Sequence, residues 1–468
     1  MAVAIRPKIG LLALTLELYE SLVPNLRVRR EQWLRRDVLP SLEALGEIVF
    51  RRAVFRRADI DAAVAGFEAA GADALLVVLL AYSPSQFALP ALQRTRLPIA
   101  IWNTQELFGI GDDFDTGNMI DNHGVHGTQD LANVLLRSGV KFHYITSHPS
   151  DESTQTQLGN FFVSAAAAGR LRRAVIGRLG YPFPGMGDFA VDTTHMAAIL
   201  GCRWINLPLE EYIKLAAGAD KQAVTDLAAR YTCQYDVAPD VTDEDLRATA
   251  AVELALREMV ARDRLDALTY QFMAFGQDER TPTVPFVATS RLMAEGIGFA
   301  GEGDVVGAAG AALLGWLSPP ASFTEIFTID FEANGLFLSH MGEANVAMAR
   351  TDRKVPLVAR PEPITPTRNR QLSLVTSFRP GPATLFALTQ GPGGRWRFIA
   401  AAVQIADFGP LPSLCVPHSK LDVKGDVRDF LTAYANAGGP HHSAICFGDA
   451  TERLEITAGL VGADYREI

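Results

Sequence analysis

The sequence predicts an α/β protein: two parallel-sheet α/β domains followed by a C-terminal antiparallel, barrel-like β domain. Three observations predict it. Short apolar runs alternate with longer amphipathic ones through the first third, a second alternating stretch begins near Arg170, and the texture changes to strands and turns from about residue 320. Helical crossovers between buried strands imply parallel pairing. At 468 residues the chain exceeds one ordinary core, so several domains are expected. The divisions fall at 1–167, 168–320 and 321–468, the last carrying His340 and His442.

In the first domain, Ile9–Leu16, Ala74–Leu80, Ile99–Trp102 and Phe142–Thr146 read as strands buried on both faces. Glu31–Leu45 and Ile60–Ala70 read as helices, the first broken or kinked at Pro40 because proline removes a helical N–H and crowds the preceding turn. Ligands meet such sheets at the strand carboxyl ends. Two polar loops belong there: Asn103-Thr104-Gln105, and Asn122 to Gln129 with His123 and His126. In the second domain Arg173–Gly177, Arg203–Leu207 and Leu268–Phe272 are strand-like, while Leu246–Asp263, Ser290–Glu295 and Gly307–Leu317 are helical. In the third, Phe323–Phe331, Leu336–His340, Leu372–Phe378, Ala383–Thr389 and Arg395–Val403 are strand-like, with a turn at Gly391-Pro392-Gly393-Gly394.

Hydrophobic residues make up 48% and charged residues 21%, the balance of a soluble globular enzyme. A net charge of -10 argues against a nucleic-acid binder. The basic run Arg27-Val28-Arg29-Arg30 with Arg35-Arg36 reads as the solvated face of a helix. Four cysteines without CxxC spacing suit a reducing cytoplasm. Arg6 and Lys8 before Ile9–Leu16 imitate a signal peptide, but Glu17 and Glu20 follow at once and no cleavage motif is present. No apolar run reaches the ~20 residues of a membrane span.

Chemistry concentrates in four places. In Gly301-Glu302-Gly303-Asp304, Asp304 suits the cap of the following helix, whereas Glu302, flanked by glycines, has no such role. In Phe323-Thr324-Glu325-Ile326-Phe327, strand alternation puts Glu325 on one face with two phenyl rings, where a carboxylate needs a cation or donors. The others are Ser339-His340-Met341-Gly342-Glu343 and Gly438-Gly439-Pro440-His441-His442. A lone histidine is more often structural than ligating. Adjacent histidines on a strand face opposite ways, so one of His441 and His442 would bind a metal and the other would be free for substrate. Two carboxylates and two imidazoles make a first shell that favours Mn2+, with Co2+, Fe2+ or Mg2+ as substitutes and zinc left open because spacing over such long intervals carries no geometry.

Taken in order, these stretches resemble the arabinose isomerase family, within the wider arabinose/fucose isomerase group. The similar segments are SRLMAEGIGFAGEGD (290–304), FTEIFTIDFE (323–332), SHMGE (339–343) and AGGPHH (437–442), with LTLELYE (14–20), NTQ (103–105) and NHGVHG (122–127) early on. The resemblance implies a metal bound by Glu302, Glu325, His340 and His442, with both glutamates moving protons. It implies Glu17, Gln105, His123, His126 and His441 on the sugar side, and trimers or hexamers with active sites at subunit boundaries. The implied activity is divalent-metal-dependent aldose–ketose isomerisation of an open-chain sugar. Glu17, in Leu16-Glu17-Leu18-Tyr19, stands in a stretch where the family carries Gln-His, and His123 where it carries glutamine, which leaves an arabinose-like pentose, a hexose or a deoxy sugar open. A non-catalytic sugar sensor and a metal-dependent epimerase or aldolase are the alternatives.

Overall fold

The computed structural model describes residues 5–468, which form two compact units, 5–169 and 170–468. In the first, strands β1 (Lys8–Leu14), β2 (Glu47–Val49), β3 (Ala74–Leu79), β4 (Ile99–Asn103) and β5 (His143–Thr146) make an all-parallel sheet in the order β2-β1-β3-β4-β5. One face packs Leu12, Leu14, Leu75, Val77, Leu79 and Ile101 against Phe67, Leu131 and Leu135 of the crossover helices. The expectation of strands buried on both faces holds for β1, β3 and most of β4 but not for β5, where only Ile145 is buried and Tyr144 and Thr146 are exposed. As the sheet edge, β5 has a neighbour on one side alone.

Pro40 does not break its helix. The helix Leu26–Trp33 runs through a π-helical turn, Leu34–Val38, into Leu39–Glu43. The wider turn, closed by Leu39 N–H donating to Leu34 O, accommodates the ring at a position where proline has no N–H to donate. The basic run is largely neutralised, with Arg27 on Glu20, Arg29 on Asp121, Arg35 on Glu31 and Arg36 on Asp37. Arg30, read as solvated, is in fact buried, lying 4.6 Å over the Trp33 ring and paired with Glu106.

In residues 170–468, β6 (Val175–Leu179), β7 (Arg203–Leu207), β9 (Ala267–Tyr270) and β10 (Gly298–Ala300) form a parallel sheet in the order β10-β9-β6-β7. A small three-stranded sheet joins β8 (Asp236–Val237), β13 (Pro356–Ala359) and β14 (Leu372–Leu374). The largest sheet has seven strands: β11 (Ala321–Asp330), β12 (Gly335–Ser339), β15 (Gly381–Gln390), β16 (Trp396–Ile405), β17 (His418–Asp422), β18 (His442–Phe447) and β19 (Asp464–Glu467). Their order is β15-β18-β11-β12-β17-β16-β19, and β15 also pairs with β16 across the predicted glycine-proline turn.

This sheet is mixed rather than antiparallel, because β19 adds parallel to β16. The region is not all strand either: helices Val427–Asn436 and Thr451–Val461 cover part of it, their amphipathic patterns hidden among the strand signals. The helix Val305–Leu317 is apolar all round, with 11 of its residues buried, as expected of a helix with no solvent face. It touches β9 and β10 of the parallel sheet and β11, β15 and β18 of the large one. One buried helix thus joins the two sheets whose ends build the site.

Candidate functional site

Glu302 sits in the loop between β10 and the buried helix. Its backbone is left-handed, with φ +62°, a conformation that is strained for a non-glycine residue and concentrates at functional sites. Surrounding bonds impose it. Phe183 N–H donates to the Glu302 carbonyl at 2.9 Å, Gly303 N–H donates to Tyr270 O at 3.1 Å, and Asp304 N–H donates to Gly301 O at 3.0 Å. Glycine at 301 has a packing reason: a Cβ there would lie 2.8 Å from His340 Cε1 and 2.9 Å from Nε2.

Strand register assembles the rest. β11 lies between β12 and β18, so Glu325 pairs with Ser339 on one side and with His442 on the other. His340 follows Ser339 directly and comes to the same place. The Glu325 Oε1 atom is 3.1 Å from His442 Nε2 and 3.5 Å from His340 Nε2. From the parallel sheet, Glu302 Oε2 comes within 3.5 Å of His442 Nε2 and 3.7 Å of His441 Nε2. Phe323 sets its ring edge-on to both inner imidazoles, 4.7 Å from His340 and 5.0 Å from His442.

Each inner imidazole is tied at one nitrogen and free at the other. His340 Nδ1 lies 2.6 Å from Glu343 Oε2, whose other oxygen accepts from the Tyr270 hydroxyl. His442 Nδ1 lies 2.8 Å from Asp304 Oδ2, while Asp304 Oδ1 accepts from Val306 and Gly307 N–H at 2.8 Å each and caps the buried helix. Glu302 Oε2, His340 Nε2 and His442 Nε2 are buried without a hydrogen-bond partner. Burial of polar atoms without partners is costly, and a carboxylate behind each imidazole is the usual support of a metal-binding histidine.

Electrostatics point the same way. Donor atoms of Glu302, Glu325, His441 and His442 all lie within 4.8 Å of one another. Two carboxylates that close repel by about 3 kcal/mol or more at an effective dielectric of roughly 20. Burial would raise the Glu302 pKa, but His441 and His442 outweigh it and hold it at about 2. Burial opposes charge on His442, yet Asp304, Glu302 and Glu325 push its pKa well up. Burial likewise opposes charge on His340, and Glu343, with Glu325 behind it, raises its pKa. The pocket therefore draws positive charge towards its carboxylates. A divalent cation suits that donor set.

Two local expectations change. Phe327 does not share a face with Glu325: the β11–β12 register shifts between Ile326 and Thr328, and Phe327 turns out exposed. Nor does alternation separate His441 from His442. Strand β18 begins only at His442, and both rings, 4.2 Å apart, reach Glu302.

The remaining expected residues lie in residues 5–169. Glu17 pairs with Arg56 at 2.7 Å, and Gln105 Nε2 donates to Leu107 O at 2.7 Å. His123 Nε2 is 2.6 Å from the Tyr19 hydroxyl and its Nδ1 is 2.7 Å from Ile120 O, while His126 stacks on Tyr82 at 4.8 Å. Burial, then the neighbouring His123, lowers the His126 pKa. Sequence reasoning missed Glu343, Asp188 and Phe189, and it gave Asp304 only its capping role. Glu343, three residues after His340, was the one with a local signal.

Comparison with known proteins gives this geometry its context. The family model described as L-arabinose isomerase C-terminal domain matches residues 320–464, and that of the L-arabinose isomerase central domain matches 190–317, together more than half of the chain. The chain belongs to the arabinose isomerase family. Among its curated family relatives, the L-arabinose isomerase of Acidothermus cellulolyticus is 27% identical over 421 residues, 85% of this chain and 81% of the relative. That of Geobacillus kaustophilus is 26% identical over 453 residues, 94% and 88% of the two chains. That of Nocardioides sp. is 26% identical over 401 residues, 82% and 78%. Both family domains contribute to the cluster: Glu302 and Asp304 fall in the central-domain match, and Glu325, His340, Glu343, His441 and His442 in the C-terminal one.

Proposed function

We propose that this family member is a divalent-metal-dependent aldose–ketose isomerase acting on an open-chain sugar. The observation that carries the reading is the trio of buried, partnerless atoms, Glu302 Oε2, His340 Nε2 and His442 Nε2, gathered around the Glu325 carboxylate. Glu302, Glu325, His340 and His442 would hold the ion, Mn2+ first and Co2+, Fe2+ or Mg2+ as substitutes. His340 is preferred to His441 as a ligand because it is buried and supported by the buried Glu343, whereas His441 is exposed. When bound, such an ion supplies Lewis-acid stabilisation of negative charge on the sugar oxygens at C1 and C2.

The residues of the chain do the rest. One glutamate takes the proton from the carbon beside the carbonyl, and the proton is returned to the neighbouring carbon. The other handles the transfer between the two oxygens. Phe323 and Phe189 wall the imidazoles with apolar surface and keep bulk water from the proton path. Glu17, Gln105, His123, His126 and His441 are proposed on the sugar side, with sites completed at subunit boundaries of a homo-oligomer. The proposed substrate is an arabinose-like pentose, which the relatives' name L-arabinose isomerase supports, or a related hexose or deoxy sugar.

We read the β15–β16 pairing as closing the large sheet into a barrel-like body, and the chain as three domains divided near 167 and 320. The proposed location is the cytoplasm. Among the described residues no helix is long and apolar enough to cross a membrane.

The test is a panel of aldoses followed by NMR, with EDTA-treated and Mn2+-loaded protein. Mn2+-dependent aldose–ketose conversion is expected, and Glu302→Gln or Glu325→Gln should lower turnover by about 100-fold to 10,000-fold. Protein that holds metal but converts no sugar would overturn the activity. Normal turnover in both variants would overturn the site assignment.

A further inference from the structure

The loop that leaves the carboxyl end of β6 runs along the rim where Glu302 stands. It makes four contacts with the site. Phe183 N–H holds the Glu302 carbonyl at 2.9 Å. The Tyr181 carbonyl lies where a Cβ on Gly303 would fall. The Phe189 ring stacks on His442 at 5.1 Å with 7° between planes. Asp188 takes His441: its Oδ2 accepts from His441 N–H at 3.0 Å and lies 2.6 Å from His441 Nδ1.

The last contact is the informative one. His441 follows Gly438-Gly439-Pro440 and precedes the first paired residue of β18, so its N–H has no ladder partner. One carboxylate oxygen receives both the backbone N–H and the ring. That fixes the side-chain direction and keeps a hydrogen on Nδ1, while Glu302 on the other side and Asp188 together raise the ring's pKa against burial. The opposite atom, Nε2, is then aimed inward, 3.7 Å from Glu302 Oε2. The side chains of His441 and Asp188 are 38% and 35% exposed, and a screened pair of this kind adds little to folding. Stability does not explain it; aim does.

We propose that Asp188 is a positioning residue, which locks the tautomer and direction of His441 so that Nε2 meets a hydroxyl of the bound sugar beside Glu302. The role at the sugar rests on the isomerase reading; the lock itself does not. Two arms separate them.

In metal-free protein brought to a pH at which His441 is neutral, long-range proton–nitrogen NMR should show it as a single Nδ1-protonated tautomer. Asp188→Asn, which keeps an accepting oxygen, should preserve that signature, and Asp188→Ala should replace it with a tautomer mixture. An unchanged His441 spectrum in Asp188→Ala overturns the lock. In the activity arm, Asp188→Ala should lower kcat/KM by about 10-fold to 100-fold, mainly through KM, with Mn2+ affinity unchanged and Asp188→Asn restoring most of the loss. Adding Asp188→Ala to His441→Ala should cost nothing further. Additive losses, or an equal fall in Mn2+ affinity, overturn the role at the sugar. A wild type that converts no sugar overturns the isomerase reading and with it that role, while the spectra still decide the lock.

Discussion

At the scale of single residues, the site is organised by what stands behind its histidines. Glu343 is fully buried, with one oxygen on His340 and the other on the Tyr270 hydroxyl. Burial, and then that carboxylate, push the Tyr270 pKa well above its ordinary value, so the hydroxyl stays a donor. Glu343→Gln keeps the shape but supports the imidazole less. Mn2+ affinity measured by calorimetry should fall by about 10-fold to 100-fold, with the thermal midpoint of the metal-free protein moving little. Of this arrangement, the two glutamates and the histidines could be read in the sequence because each sits in an unusual local setting. The carboxylates behind them could not: Asp304 and His442 are 138 positions apart, and Asp188 and His441 are 253 apart. No local pattern encodes a contact across that distance.

Among the elements, the long helix Asp243–Asp263 shows how a terminus is secured away from the site. Thr242 and Asp245 form a reciprocal capping box, and Arg370 binds the same Asp245 carboxylate at 2.6 Å. Burial would raise the Asp245 pKa, but Arg370 and Thr242 hold it below the usual range. A depressed carboxyl contributes stability that is present above its unfolded pKa, about 3.9, and is lost as pH falls through the folded value. Asp245→Asn should therefore lower stability by about 1 kcal/mol at pH 7. The gap to wild type in thermal melts should narrow progressively as pH falls below about 4. A gap of constant size across that range would refute the linkage.

The same scale shows what sequence patterns resolve. Helix Asp243–Asp263 and strand Arg203–Leu207 were legible because period and turn signals agree there. Strand β17 and the short β2 were not, since each depends on a neighbour rather than on its own composition. The bulge at Phe327 was also invisible, because alternation in one strand carries no record of register in the next.

For the whole molecule, the α/β class and four of the five strands of the first unit were legible, and so was the change of texture near residue 320. What the sequence could not display was the seven-stranded pairing order, in which β18 inserts between β15 and β11. That insertion places His442 opposite Glu325. Because the proposed ligands all belong to residues 170–468, metal should stabilise that unit directly. At a free Mn2+ concentration about 100 times its dissociation constant, the gain should be about 2.7 kcal/mol. Hydrogen exchange should show it as added protection in β11, β12 and β18, and EDTA should reverse it. Protection confined to the β1–β5 sheet would place the ion elsewhere.

The insertion of β18 also has a meaning for biosynthesis. Glu302, Glu325 and His340 leave the ribosome well before His442, and none of them closes the pocket alone. If the proposed ligands hold the ion, the set is complete only in a chain translated past β18, with that strand paired between β15 and β11. A stalled or prematurely terminated product would show the same acids and bind the ion weakly. On the proposed ligand set, fragments ending before residue 442 are expected to retain less Mn2+ than the full chain, since they lack His442.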